Sequence, residues 1–233
     1  EVFSSSKMLE ILPAIWSMMD EPFADASLLP TFLLSHFTSN HITVALSGDG
    51  GDEVFAGYPT YFAHQLANWI PNWASIFLTY ISNQLPVSFD NISLDFKAKQ
   101  FCKGLEHKPA SRHQYWLGSF DNGEKIQGYT NEFYNQLSGH RILENMLEDY
   151  MSESSTGNGW EAHLYQDMRF YLQDDMLVKV DRSSMAHSLE VRVPYLDHHI
   201  VEFMALVPAN MKYRLFTSKY LLKSLGKKYL PKN

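Results

Sequence analysis

Ile42-Thr43-Val44-Ala45-Leu46-Ser47-Gly48-Asp49-Gly50-Gly51-Asp52-Glu53-Val54-Phe55-Ala56-Gly57-Tyr58 decides how this chain is read. The first five residues are mostly β-branched or apolar, which suits a buried strand. The glycines end that strand and let the backbone turn tightly. From Glu53 onward a helix can start. A strand that passes through a glycine turn into a helix is one turn of a doubly wound α/β unit, with the strand in a parallel sheet. Such a loop presents free N–H groups, which attract phosphate. Asp49, Asp52 and Glu53 repel phosphate unless a hard cation such as Mg²⁺ lies between. The combination points to a metal–pyrophosphate site. Glycine with aspartate also makes ordinary turns and calcium loops, but the alternating acids of an EF-hand loop are missing.

Upstream, Met8, Ile11, Ile15 and Met18 fall at helical spacing over 7–19, with Pro13 set to kink or restart the helix. Asp20-Glu21-Pro22 ends it. Ser27 is placed to cap a second helix running to about Thr38, with Leu28, Phe32 and Leu33 inward. The strand at 42–46 is the one strong strand signal, so an edge of a parallel sheet is expected. From Tyr58 to about Leu177 the pattern is mainly helical. Loops are expected at 86–88, 106–109, 121–123 and 153–159, and a helix over about 160–173. The window 69–81 is the most apolar. It contains Pro71 and Asn72, is too short to span a bilayer, and reads as a buried or interface helix.

The 233 residues suffice for one large domain or two small ones, and 45% hydrophobic residues can bury a core. The net charge of −7 argues against a nucleic-acid face. Cys102 stands alone and reads as an idle thiol, and a single cysteine fits a reducing cytoplasm. Glu1-Val2-Phe3-Ser4 lacks the basic start and apolar run of a secretory leader, so none is expected there, and no membrane partner is expected. The histidines show no metal spacing along the sequence, and His198 and His199 would point about 100° apart on a helix.

A second block, Met176-Leu177-Val178-Lys179-Val180-Asp181-Arg182-Ser183-Ser184-Met185-Ala186-His187-Ser188-Leu189-Glu190-Val191-Arg192-Val193-Pro194-Tyr195-Leu196-Asp197, has simple structural readings. Asp181 and Arg182 can be surface charges, Glu190 and Arg192 can pair on an extended segment, and Asp197 can cap a helix through Phe203. Together with 47–58 and with Thr217-Ser218-Lys219-Tyr220-Leu221-Leu222-Lys223, it closely resembles the synthetase domain of glutamine-dependent asparagine synthetases. The three blocks occur in that family's order, and the resemblance runs from about Asp20 to Pro231.

The resemblance implies a mostly helical α/β fold, the C-terminal part of an adenine-nucleotide α-hydrolase-like (PP-loop ATP pyrophosphatase) domain, with 1–233 as a single partial domain. It implies ATP and Mg²⁺ as cofactors, and aspartate and glutamine-derived ammonia as substrates. A glutaminase domain in the same parent polypeptide would supply the ammonia, and a homodimer is compatible. The implied reaction is amidation of aspartate to asparagine through a β-aspartyl-AMP intermediate. Asp52 becomes the metal ligand, and Ser47, Gly48, Asp49, Gly50 and Asp52 line the nucleotide. Asp49 lies near the adenylate and incoming amine, and Lys219 contacts the phosphates. Alone, Lys219 reads as a solvated helix lysine. The family's first ATP loop, Ser-Gly-Gly-x-Asp-Ser, does not occur in these 233 residues. This chain by itself is therefore expected to be inactive. Asp49, where the family more commonly has Glu, leaves another acceptor such as a sugar acid open, and the missing first loop leaves open a non-catalytic fragment or binding module.

Overall fold

Ser4 accepts a hydrogen bond from the Lys7 N–H at 3.3 Å, and this cap starts α1 (Ser5–Met18). The computed structural model describes residues 4–86, 93–118, 120, 122–137, 142–154, 159–214 and 216–231. The chain divides into two compact units. One gathers Glu1–Ala56, Asp167–Lys212 and Lys219–Asn233; the other holds Gly57–Gln166 and Tyr213–Ser218.

In the first unit α1 runs through Pro13 as one helix, although proline removes one of its i→i−4 bonds. α2 (Leu28–Ser39) buries Leu28, Phe32 and Leu33 as its spacing predicts. Ser27 does not cap it through its side chain. Its hydroxyl donates instead to Asp25 Oδ2 at 2.6 Å and its N–H to Asp25 Oδ1 at 2.8 Å, so Asp25 organises the turn. Ile15, Leu28 and Phe32 form a small core with Ile11, Met18 and Phe23.

β1 (Val44–Leu46) leads into α3 (Gly51–Phe55). The chain returns to this unit through a π-helical segment, Asp167–Leu177, followed by α12 (Val178–Met185) and β2 (Glu190–Arg192); the helix expected to stop near Gln173 runs on to Met185. β1 and β2 pair in parallel with Val44 opposite Glu190 and Leu46 opposite Arg192. The strand is parallel, as expected, but not buried: Leu46 is 75% exposed and Val44 39%. A parallel strand is buried by layers on both faces and neighbours on both edges. Among the described residues β1 has one partner strand. α13 (His198–Leu206), α14 (Ala209–Lys212) and α15 (Tyr220–Tyr229) complete the unit. Val54, Phe55 and Met204 make its second core, with Val201, Leu221 and Leu222 packed on it. This core fixes α3, and with it the glycine loop.

The second unit is helical throughout its long described segments: α4 (Pro59–Ala67), α5 (Asn72–Asn83), α6 (Leu94–Gly104), α7 (Pro109–Leu117), α8 (Asn122–Gly128), α9 (Asn131–Leu137), α10 (Ile142–Glu153) and α11 (Ala162–Gln166). Proline opens α4 and α7, where its preset φ suits the first turn. Tyr61, Leu147, His113 and Gln166 are the largest fully buried side chains among its described residues. Of the two readings of the 69–81 window, buried or interface helix, burial fails for α5, since Trp73 is 77% and Phe77 60% exposed. The expected loop at 106–109 gives way to α7 at Pro109, and Gly123 belongs to α8. The loops expected at 87–88 and 155–158 lie outside the described residues. Cys102 is buried. No helix among the described residues is long and apolar enough to cross a membrane.

Candidate active site

Gly50 is the hinge between β1 and α3. Its φ is +79°, and a Cβ there would come within 2.1 Å of Leu196 Cδ2. Both facts require glycine, one for backbone conformation and one for space. At Gly51 a Cβ would meet the Tyr195 ring at 3.1 Å and stand 3.7 Å from Lys219 Nζ; at Gly48 it would meet nothing within 4 Å. The loop is anchored to the sheet by the Ser47 N–H, which donates to Arg192 O at 2.8 Å. It is closed on itself by Ser47 Oγ, which donates to Asp49 Oδ2 at 2.5 Å. Ser47, Gly48, Asp49, Gly50 and Asp52 therefore share one turn-and-helix segment at the end of β1.

The third block comes to the same place. Lys219 Nζ lies 2.9 Å from Asp52 Oδ1, and both side chains keep contact with solvent. The backbone of Lys219 is left-handed (φ +51°), uncommon for a side-chain-bearing residue, and its N–H reaches Ala56 O at 3.4 Å. Ala56, at the C-terminus of α3, is left-handed too, with φ +57°. Two strained residues thus join α3 to the start of α15. Such strain persists where surrounding packing holds it, and it concentrates at functional sites.

The second block splits into a buried and an exposed part. Lys179, two residues before Asp181, is 4% exposed. It donates to Asp25, to Ser27 Oγ at 2.7 Å and to Met176 Sδ at 3.4 Å. Burial pushes the Asp25 carboxyl up, but the Lys179 and Ser27 donors outweigh it and hold Asp25 below its ordinary value. Burial, then the Asp25 charge, pushes Asp175 up to about 6. Burial, then the charges of Asp175, Asp25, Glu53 and Asp167, pushes Tyr171 up to about 12. Glu53, only 1% exposed, thus contributes to the field of a buried acidic region behind the glycine loop. Arg182 pairs with Asp20 at the surface. Glu190 accepts from Arg192 Nε at 2.7 Å, and Asp197 caps α13 by accepting from the His199 N–H at 2.9 Å, both as the sequence suggests.

Sequence reading missed Lys179, Asp25 and Asp175 as a network because their spacing carries no periodic signal; the pairing spans 154 residues. The π-helical turn that carries Asp175 has no sequence signature either. It also missed the histidines. The His198 and His199 rings lie with centroids 3.8 Å apart, tilted by 40°, and with Asp197 their ligand atoms lie within 4.8 Å of one another. His64, His113 and His163, far apart in sequence, meet in the core of the second unit.

Comparison with known proteins adds what geometry leaves open. The family model described as asparagine synthase matches residues 1–233. "Asparagine synthetase (glutamine-hydrolyzing) 1" of Bacillus subtilis (strain 168) is 27% identical over 236 residues, covering 100% of this chain and 35% of that protein. A Mycobacterium bovis protein provisionally named asparagine synthetase (glutamine-hydrolyzing) is 30% identical over 235 residues, covering 96% of this chain and 33% of the relative. "Amidase chyE" of Penicillium rubens is 24% identical over 214 residues, covering 81% of this chain and 30% of that protein. The chain spans about a third of the length of these relatives. No solved structure matches it. The chain belongs to the asparagine synthase family.

Proposed function

We propose that residues 1–233 are one partial synthetase domain of the PP-loop ATP pyrophosphatase type, and that the parent protein amidates aspartate to asparagine. The observation that carries this reading is the 2.9 Å pairing of Lys219 with Asp52 across the glycine loop. It joins, in one solvent-accessible place, the cation and the carboxylate that handling a triphosphate demands.

The residues suit ATP and Mg²⁺. Mg²⁺ is usually held by one or two carboxylates plus substrate phosphates, and Asp52 offers such a carboxylate beside the Gly48 backbone, whereas the Ser47 N–H and hydroxyl, expected as phosphate donors, are engaged by Arg192 O and Asp49. Mg²⁺, when bound, screens the charge of the phosphates. The ion pair is exposed and its contribution to stability is about 0–1 kcal/mol, so separating it for ligand costs little. Asp52 is then released to the metal and Lys219 to the phosphates.

In the proposed reaction an aspartate carboxylate oxygen bonds the α-phosphorus of ATP and pyrophosphate leaves. Ammonia then bonds the acyl carbon, the bond to AMP breaks, and one proton is shed. Lys219 stabilises charge building on the phosphates. Asp49, oriented by Ser47 Oγ, stands ready to take the proton. Glutamine-derived ammonia would come from a glutaminase domain of the parent. A cytoplasmic setting and a homodimer fit this chemistry.

A second reading has its own support. Asp49 is one methylene shorter than glutamate, and one relative is named an amidase. That would suit a different carboxylate, such as a sugar acid. The test is ATP–pyrophosphate exchange by the full-length parent. Aspartate should support exchange, and Asp52→Asn should weaken that Mg²⁺-dependent exchange while the circular dichroism spectrum stays unchanged. Exchange with a sugar acid and none with aspartate would overturn the aspartate assignment.

A further inference from the structure

The second unit contains a group of side chains that the proposed ligase chemistry does not use. His64 of α4, His113 of α7 and His163 of α11 are 2%, 0% and 3% exposed. One nitrogen from each lies within 4.8 Å of the others. His64 Nε2 and His113 Nδ1 are 2.9 Å apart, and the His64 and His163 rings stack with centroids at 3.5 Å. We propose that these three imidazoles form a structural site for a borderline transition-metal dication of the Zn²⁺ class, tying three helices of the unit together.

Four observations support the assignment. First, imidazole nitrogen is a preferred ligand of Zn²⁺, and three are present without a carboxylate among them. Second, each ring comes from a different helix of the unit, so one bound cation would tie α4, α7 and α11 together. Third, one tautomer is dictated. Gln166 Nε2 donates to Ala110 O at 3.0 Å, which turns Gln166 Oε1 toward His163 Nδ1 at 3.2 Å. His163 then carries its proton on Nδ1 and leaves Nε2 to bind, the orientation that an outer-shell carbonyl imposes on a metal-ligating histidine.

Fourth, the surroundings discriminate among cations. The Arg112 guanidinium, fixed by the carbonyls of Gly104 and His107 at 3.1 and 3.0 Å, acts on His64 and His163 and disfavours added positive charge. Mg²⁺ or Ca²⁺, which prefer oxygen ligands, would not overcome that repulsion. A metal that forms strong bonds to nitrogen can. Nitrogens bound at 2.0–2.1 Å in a tetrahedron stand about 3.3 Å apart. Binding therefore tilts the stacked pair and draws the widest nitrogens together.

The test uses the full 233-residue chain, stripped of metal and titrated with Zn²⁺ by calorimetry and with Co²⁺ by visible absorption. One equivalent should bind, and Co²⁺ should give the intense bands of a four-coordinate site. His163→Gln should weaken binding at least about 100-fold. Gln166→Leu keeps all three imidazoles and should weaken it about 10–100-fold. Circular dichroism establishes that each variant is folded. The exposed Asp197, His198 and His199 group is the internal control, and His198→Ala with His199→Ala should leave the affinity unchanged. No stoichiometric binding, the weak spectrum of six-coordinate Co²⁺, unchanged affinity in folded His163→Gln or Gln166→Leu, or binding lost only in the 198/199 variant would each overturn the proposal.

Discussion

Lys219 brings its ammonium to Asp52 from a left-handed backbone that few lysines adopt. We propose that this ammonium meets the phosphates. Lys219→Ala in the full-length parent should therefore lower ATP–pyrophosphate exchange with aspartate by about 10²–10³, the usual loss for one preorganised charge-stabilising group. Arginine should restore little, because its planar fork does not reproduce a compact ammonium. Glutamine hydrolysis should persist. Exchange within a few-fold of the parent would make Lys219 a surface lysine. Gly50 is tested by stability instead. Gly50→Ala must place a methyl against Leu196 in a positive-φ backbone, and we expect a loss of about 3 kcal/mol in urea unfolding. Gly48→Ala meets open space and should change stability by less than about 0.5 kcal/mol. Equal effects at the two glycines would contradict the hinge role of Gly50.

At the scale of elements, the first turn of α12 and the π-helical segment before it are bound to the segment preceding α2 through Lys179 and Asp25. Lys179→Met removes the cation and leaves Asp25 facing Asp175. Asp25 is partly buried, so leaving it without its cation costs about 1–3 kcal/mol, measurable as a lowered urea midpoint. Adding Asp25→Asn should recover part of it. Asp175 gives the pH dependence. Its folded pKa is raised to about 6 from 3.8, so the unfolded chain releases this proton first as pH rises. The associated stability is complete below about pH 3.8 and is lost as pH climbs through 6. Asp25 runs the other way, since its depressed pKa makes its contribution complete above the ordinary value and lost on acidification. Asp175→Asn removes only the first dependence. Its melting temperature relative to the parent should rise between pH 4 and pH 7, and a pH-independent difference would rule out the buried carboxyl as the cause.

At the scale of the whole molecule, the candidate site residues all lie in one of the two units, the one built from three separated stretches of chain. Within the 233 residues one glycine loop and one lysine face the proposed nucleotide, and the Ser-Gly-Gly-x-Asp-Ser loop does not occur in their sequence. A triphosphate held by so few contacts should bind weakly. We expect calorimetry on this chain alone to show no micromolar ATP binding, with or without Mg²⁺. Micromolar binding would mean that these residues suffice for the nucleotide.

The sequence by itself determined the local chemistry. β-branched residues before Ser47, the glycine that a positive φ requires at position 50 and the capping aspartate at 197 each act within a few residues, so spacing reveals them. The order of the three blocks was enough to indicate the family. Tertiary structure alone decided what long-range packing controls. It set Lys219 against Asp52 across 167 positions, paired Lys179 with Asp25, and drew three scattered histidines into one core. It also left β1 exposed where its composition suggests burial. Hydrophobic pattern states which surface a segment can bury; whether a partner layer covers it depends on contacts between residues far apart in the chain, and no local spacing encodes those.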